Sequence, residues 1–443
     1  MIESLTLKNF KNFRDATLSL GRLTVLIGAN ASGKSNIRDA FQFLHGIGRG
    51  YPLADIMGEK FGVGGERVWS GIRGGPREII HDGADSFILK MKLPFGLSKE
   101  RTSQRITILE YDYSMEVAAR QHPLHPSRLD LYLKEEELSV TLAGGDRGVY
   151  LATIPSVDRS RLVHRVWDDP AKPDEFEDFP QTDIPGLGQL AEKNREVALK
   201  SPLASAIARN VRDGFASFRF LDLSPTQMRI PALPGQTTLG DRGENLSSVL
   251  AAICDEPSKK AALMEWVRRL TPMDVHDLSF DEDITGKILL RIHEKHNRSI
   301  SALSASDGTL RFLAILAALL GPSPASFYFI EELENGIHPA RLGLLLDLIE
   351  HQAARKNIQI VATSHSPLLL QFLSEESLKS TSIVYRLPDH PDAKIKEILG
   401  IPGAAEVIRD QSISLLHASS WFEDTLDFLN DPAPDSITAG SSV

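Results

Sequence analysis

Apolar and polar positions along the chain change period several times, and each change predicts an element. Residues 2–8 and 17–27 read as strands, joined by a polar-aromatic turn at residues 9–14 (Asn-Phe-Lys-Asn-Phe-Arg). The second of them ends in Leu23-Thr-Val-Leu-Ile27, five residues that suit a strand buried on both faces. Beyond it Ile37, Ala40, Phe41 and Leu44 recur at helical spacing. From Phe87 to Ile154, short alternating stretches such as residues 87–93 and 105–111 predict antiparallel strands and hence a β-lobe. Residues 201–275 turn helical, with Leu203, Ile207, Val211 and Phe215 on one face and Leu246, Val249, Leu250 and Ile253 on another. A strongly apolar helix follows at residues 310–320, a buried strand at 327–330, an amphipathic helix at 340–354 and a further buried strand at 359–363.

The connections are informative too. Residues 46–75 are dense in glycine, with Arg67, Arg73 and Arg77 in or just beyond them; they read as a surface loop or as a loop facing phosphate or DNA. Residues 168–180 are acidic and proline-rich and read as a solvated loop. No heptad persists over three or four repeats, so a long coiled-coil arm is not expected. The resulting division is 1–90, 91–200 (β-lobe and acidic loop), 201–290 (helical subdomain), 291–380 and 381–443 (a small docking appendage). Composition adds limits. With 443 residues, 42% of them hydrophobic, the chain suits one large α/β domain with an insertion, or two to three domains. A net charge of −10 argues against coating nucleic acid over the whole surface but leaves room for a local basic groove. A single cysteine, Cys254, excludes a disulfide framework and fits a reducing cytoplasm. Neither a signal-peptide plan nor a run of membrane-spanning length is apparent, so a cytoplasmic protein without a membrane partner is expected.

The chemistry centres on residues 28–35, Gly-Ala-Asn-Ala-Ser-Gly-Lys-Ser, a phosphate-binding loop set between a strand and a helix as the motif requires. Glycines let backbone N–H groups converge on phosphate oxygens, and the helix N-terminus adds partial positive charge. Gly28, Asn30, Ser32, Gly33, Lys34, Ser35 and Asn36 are the candidate nucleotide-binding residues, Lys34 reaching the β- and γ-phosphates and Ser35 ligating Mg²⁺. Lys11 or Asn12, in the preceding turn, could face the base or ribose. Residues 304–311 (Ser-Ala-Ser-Asp-Gly-Thr-Leu-Arg) begin the apolar helix as either a simple cap or a signature loop, in which Ser304, Ser306, Asp307 and Gly308 would grip a γ-phosphate held by a second subunit. Residues 327–332 (Phe-Tyr-Phe-Ile-Glu-Glu) have the Walker B arrangement: Glu331 for the Mg²⁺ shell, Glu332 to orient and deprotonate the attacking water. His365, just past the strand at 359–363, sits where it could hydrogen-bond the γ-phosphate.

These motifs, in this order, resemble the SMC/RecF-like branch of ABC-type ATPases, and in particular stand-alone bacterial ATPases related to the OLD family and to ATPase subunits of phage-defence systems such as PARIS and Septu. The match is dense over residues 1–45 and 300–370 and looser over 229–231 and 239–246. It implies an α/β fold: an ABC-type P-loop ATPase head with an inserted antiparallel β-lobe and helical region. It also implies a nucleotide sandwich, two subunits binding two ATPs, with Ser306, Asp307 and Gly308 acting in trans, Asn335 on the subunit-contacting loop, and Glu332 and His365 catalytic. Two positions depart from the pattern. Glu331 stands where aspartate is common, and Leu333 where proline is usual, which is expected to loosen the turn after the base.

The remaining metal-like patterns are set aside. Asp281-Glu-Asp283 reads as a turn, and His293/His296 and His122/His125 as loop or strand-end residues. The leading expectation is an ATP-driven switch, a homodimer or larger homo-oligomer, that slowly hydrolyses ATP and controls a partner effector, a nuclease or similar protein encoded beside it, in anti-phage defence. The alternative is a RecF-like ATPase that clamps DNA. A transporter engine is disfavoured by the large insertion between residues 90 and 300.

Overall fold

The computed structural model describes residues 1–65, 67–94, 108–122, 124–142, 147–155, 162–169, 172–177, 185–191, 202–270, 274–387 and 390–409. Among the described residues two large sheets, two small ones and helices on both faces of the central sheet make an α/β fold. The central sheet has six strands in the order Phe218–Leu221, Phe327–Ile330, Gln359–Ser364, Leu23–Ile27, Ser382–Arg386 and Ala393–Glu397. Every pairing is parallel except the last. The strands Leu23–Ile27, Phe327–Ile330 and Gln359–Ser364 are buried along their whole length, as a parallel sheet covered on both faces demands.

Alternation along these strands feeds two cores. Leu23, Val25, Ile27, Tyr328, Ile330, Ile360 and Ala362 join the helices Leu246–Cys254, Pro257–Leu270, Asp307–Leu320 and Pro339–Lys356 on one face. Leu26, Phe327, Phe329 and Val361 pack on the other face with the helices Lys34–Gly48 and Pro202–Ala216. Those two helices lie under an antiparallel sheet of eight strands, in the order Lys172–Glu177, Leu162–Asp169, Arg147–Pro155, His125–Leu142, Ile108–His122, Ser86–Pro94, Ser4–Phe10 and Phe13–Ser19. Phe41 fixes the Lys34–Gly48 helix to the central sheet, its ring 4.9 Å from that of Phe327 and 6.0 Å from that of Phe329.

Four expectations from sequence change here. The β-lobe is continuous with the N-terminal hairpin, because Ser4–Phe10 pairs with Ser86–Pro94. The stretch expected to be helical, 201–275, contains Phe218–Leu221, an edge strand of the central sheet whose four residues are too few to show a period. Residues 382–397, placed in an appendage, form a hairpin of that same sheet, with Ser382 and Ile383 opposite Leu26 and Ile27. Within the acidic stretch 168–180, residues 172–177 form a strand against Leu162–Asp169. The rest of that appendage, from residue 410 on, lies outside the described residues. Among the described residues the longest helix, Pro339–Lys356, has 18 residues, and no helix is long and apolar enough to cross a membrane.

Close packing of the two helices between the sheets depends on Gly48, where any Cβ would run into the backbone of Phe215 and Ala216. One turn earlier, buried His45 places Nδ1 2.9 Å from the Phe215 carbonyl, an acceptor that requires the proton on Nδ1. Burial holds its pKa down at about 4. Below the ordinary histidine pKa the unfolded chain takes up a proton that the native chain refuses. Stability is therefore complete above about pH 6.5 and falls toward pH 4, by up to about 1.4 kcal/mol per pH unit. His45→Asn keeps the donor and should flatten that limb in urea melts recorded from pH 7 to 4.

Candidate functional site

Parallel pairing puts three loops side by side. The strands Phe327–Ile330, Gln359–Ser364 and Leu23–Ile27 are neighbours, so their C-terminal ends open onto one cleft, the usual ligand position in such sheets. Glu331 and Glu332 follow the first strand, His365 the second, and the phosphate loop the third.

The loop conformation explains its glycines. A Cβ on Gly28 would collide with the Val384 carbonyl, and Gly33 has φ 121° with Phe13 and Asn12 against the place a Cβ would occupy. Lys34 opens the following helix; its ammonium donates to the carbonyls of Gly28 and Ala29 and lies 3.3 Å from His365 Nδ1. Burial lowers the Lys34 pKa to about 8, against the pull of Glu334 and Glu332. Asn30 is exposed, Ser35 and Asn36 are half-buried, and Ser32 is buried with its hydroxyl unpaired among the described residues. Asn36 Nδ2 donates to Asn12 Oδ1 at 2.6 Å, which joins the preceding turn to the loop. Lys11 is engaged elsewhere: its ammonium meets buried Asp39 at 2.5 Å and the Arg73 carbonyl at 2.8 Å. Arg73, from the glycine-dense stretch, reaches back to the Ser35 carbonyl at 2.7 Å and to Asp39 at 3.2 Å.

The acidic side of the cleft is equally specific. Glu331 donates its N–H to the Leu221 carbonyl, and its carboxylate lies 3.7 Å from Arg38; burial raises its pKa, with Arg38 opposing. Glu332 has φ 48°, a left-handed conformation rare for this residue type. Its N–H donates to Thr363 Oγ1 at 3.0 Å, and its carboxylate accepts from Asn335 Nδ2 at 3.0 Å and lies 3.8 Å from His365 Nε2. Since the Lys34 ammonium can only donate, His365 Nδ1 accepts and its Nε2–H faces Glu332. Glu334, absent from the sequence-derived set, accepts the His365 N–H at 2.7 Å. Its signal was in the chain, three acidic residues within four positions after a buried strand. Thr363 gave no such signal, because only strand register brings its hydroxyl to Glu332.

Residues 304–306 lead as a turn into the helix Asp307–Leu320, which Asp307 and Gly308 open, and Ser306 caps that helix by accepting the Thr309 N–H at 3.2 Å. Ser304, Ser306 and Asp307 are exposed and Gly308 half-buried. Arg229 shapes the turn, donating to the Ala305 carbonyl at 2.8 Å and to Asp307 at 2.7 Å. Gly308 abuts the Gly336 carbonyl so closely that a Cβ has no room. The set-aside motifs stay apart from the cleft's chemistry: Asp283 caps its own turn through Thr285 and Lys287, and His293 bonds Ser279. Among the described residues no group of three or more histidine, cysteine or acidic side chains is placed to hold a metal.

Residues 1–142 match the family described as "AAA ATPase domain", and residues 151–371 that described as "AAA domain, putative AbiEii toxin, Type IV TA system". Over 390 residues the chain is 21% identical to an "ATP/GTP phosphatase" of Helicobacter pylori, covering 85% of this chain and 88% of that protein. Solved structures similar to it include the SMC head domain from Thermotoga maritima (12% identity, TM-score 0.40, covering 90% of this chain and 98% of that one). Another is the Smc head domain with an extended coiled coil bound to the C-terminal domain of ScpA, derived from Pyrococcus furiosus (14% identity, TM-score 0.46, covering 92% and 99%). The two domain matches and the phosphatase relative make this chain an ATP-hydrolysing enzyme.

Leu333 does not loosen the turn after Glu332, as its replacement of proline suggested. Its N–H donates to the Thr363 carbonyl at 3.1 Å, and its side chain is 2% exposed in the helical core. Leu333→Pro removes both and should cost about 3 kcal/mol or more, read as a lower urea midpoint.

Proposed function

We propose that two copies of the chain close over two ATP molecules, each phosphate loop completed by the other copy's turn at 304–308. Slow hydrolysis then returns the pair to its open state. What carries this reading is the presence in one chain of a phosphate loop ringed by Glu331, Glu332 and His365, together with a signature-like turn whose Ser304, Ser306 and Asp307 face outward. Gly28, Asn30, Ser32, Gly33, Lys34, Ser35 and Asn36 bind the phosphates, with Asn12 behind them. Ser35 and Glu331 are hard oxygen donors of the type Mg²⁺ takes, and the ion would neutralise charge on the β- and γ-phosphates. Glu332 takes the proton of the attacking water as the γ-phosphorus–oxygen bond to ADP breaks, leaving ADP and phosphate. His365 reads the γ-phosphate, placed between Lys34 and Glu332.

The switch works by linkage: ATP binds the closed pair better than the open one, so its hydrolysis shifts an assembly equilibrium. On this reading the closed pair controls an effector, a nuclease or another protein encoded beside it, in defence against phage. The motif order supports that role, and so does the toxin–antitoxin description of the domain matched over residues 151–371.

Lys34→Ala should abolish ATP binding. Glu332→Gln should bind ATP and double in mass by light scattering when ATP is added; an unchanged mass would remove the sandwich. Mixing Lys34→Ala with Ser306→Ala should restore hydrolysis well above the sum of the two alone, because one intact composite site forms. Copurification with the neighbouring reading frame, with and without ATP, tests for the effector.

A further inference from the structure

We propose that Thr363 is a positioning residue for hydrolysis, holding Glu332 at its working distance from His365. The proposal rests on the reading of Glu332 as the base that activates water. Regular pairing between the strands Phe327–Ile330 and Gln359–Ser364 ends with Ile330 opposite Ala362. From there the chain peels away. Glu331 gives its N–H to Leu221 on one neighbouring strand, whereas Glu332 and Leu333 give theirs to Thr363 on the other. Thr363 takes both, Glu332 through Oγ1 at 3.0 Å and Leu333 through its carbonyl at 3.1 Å.

The side-chain hydroxyl therefore serves as the acceptor where the backbone ladder has run out. The residue it holds is the one with φ 48°. A non-glycine residue in that region costs on the order of 1 kcal/mol or more and persists only where neighbouring bonds over-determine it. Without the hydroxyl, the Glu332 N–H loses its partner and the backbone is free to leave the left-handed region. Its carboxylate would swing away from His365 Nε2, now 3.8 Å distant. His365 is two residues beyond Thr363 on the same chain segment, so a single buried side chain fixes base and phosphate reader relative to each other. Among the described residues the Thr363 hydroxyl makes no hydrogen bond to the phosphate loop; it acts through Glu332.

Thr363→Val keeps the β-branched shape and removes only the acceptor. Its kcat for ATP should fall about 10- to 100-fold while ATP still binds and the closed pair still forms, and persists longer, a loss confined to the step after binding. Thr363→Ser restores the acceptor and should recover most of kcat. Thr363→Ala, slow beside a fast Thr363→Ser, gives the same reading should the valine variant not fold. A valine variant with wild-type kcat, or a serine variant as slow as valine, overturns the proposal. Glu332→Gln, assayed in parallel, separates the two claims. If it hydrolyses ATP at the wild-type rate, the base assignment fails and Thr363 has nothing to position. If it is inactive while Thr363→Val is fast, the base stands and the positioning role alone is lost.

Discussion

Everything in the cleft depends on the parallel register of three buried strands. Pairing Ile360 with Leu23 and Phe327 with Gln359 sets where each strand ends, and therefore which residues emerge together at the sheet's edge. A slip by one residue would reverse every side chain between the two cores. The register is protected against this by unequal faces: phenylalanines 327 and 329 meet Phe41 on one side, while Tyr328 and Ile330 meet the helical layer on the other. Each arrangement of Phe41 against that sheet also fixes the helix that begins at Lys34. The aromatic contact is thus a structural condition for the placement of Lys34, seven residues earlier in the chain.

The cleft concentrates opposite charges without letting them cancel. Lys34 loses hydration on burial, and Glu332 and Glu334 return part of the cost, yet neither makes a direct ion pair with it among the described residues. The lysine is instead parked on two loop carbonyls, which are weak partners for a full charge. On the proposed reading a triphosphate would offer Lys34 stronger acceptors than carbonyl oxygens. Glu331 carries the complementary strain: burial opposes its charge, which a bound cation would relieve. Both perturbed groups would then be eased by the same ligand.

Much of this was legible before any coordinates. The phosphate loop announced itself because a buried strand, a glycine turn and a helix are each local patterns, and the acidic pair and histidine because each follows a short strand with an apolar centre. What escaped was non-local. Phe218–Leu221 is an edge strand of four residues, and helical neighbours on either side swallowed it. Ser382–Arg386 looked peripheral because nothing local says that its partner is Leu23–Ile27, more than 350 positions away. Lys11 carried a plausible charge for a nucleotide, but only the fold brings buried Asp39 beneath it. Thr363 belongs to the same class, since its partner is chosen by register and not by spacing. Leu333 is the instructive case: judged by resemblance it weakened a turn, and in place its N–H and side chain secure it.

The same register also ties the cleft to the exposed turn at 304–308. Asn335 holds the Glu332 carboxylate, and the next residue, Gly336 (φ 72°), presses its carbonyl against Gly308. Two glycines in contact leave no side chain to absorb a shift, so a displacement of the Glu332 turn is passed directly to the first turn of the helix Asp307–Leu320. Arg229 resists that movement from the far side, through the Ala305 carbonyl and Asp307. The Glu332 turn and the outward turn are consequently two ends of one close contact. On the proposed reading, in which Glu332 activates water and the outward turn meets a second copy, that contact is the route by which chemistry would be felt in assembly.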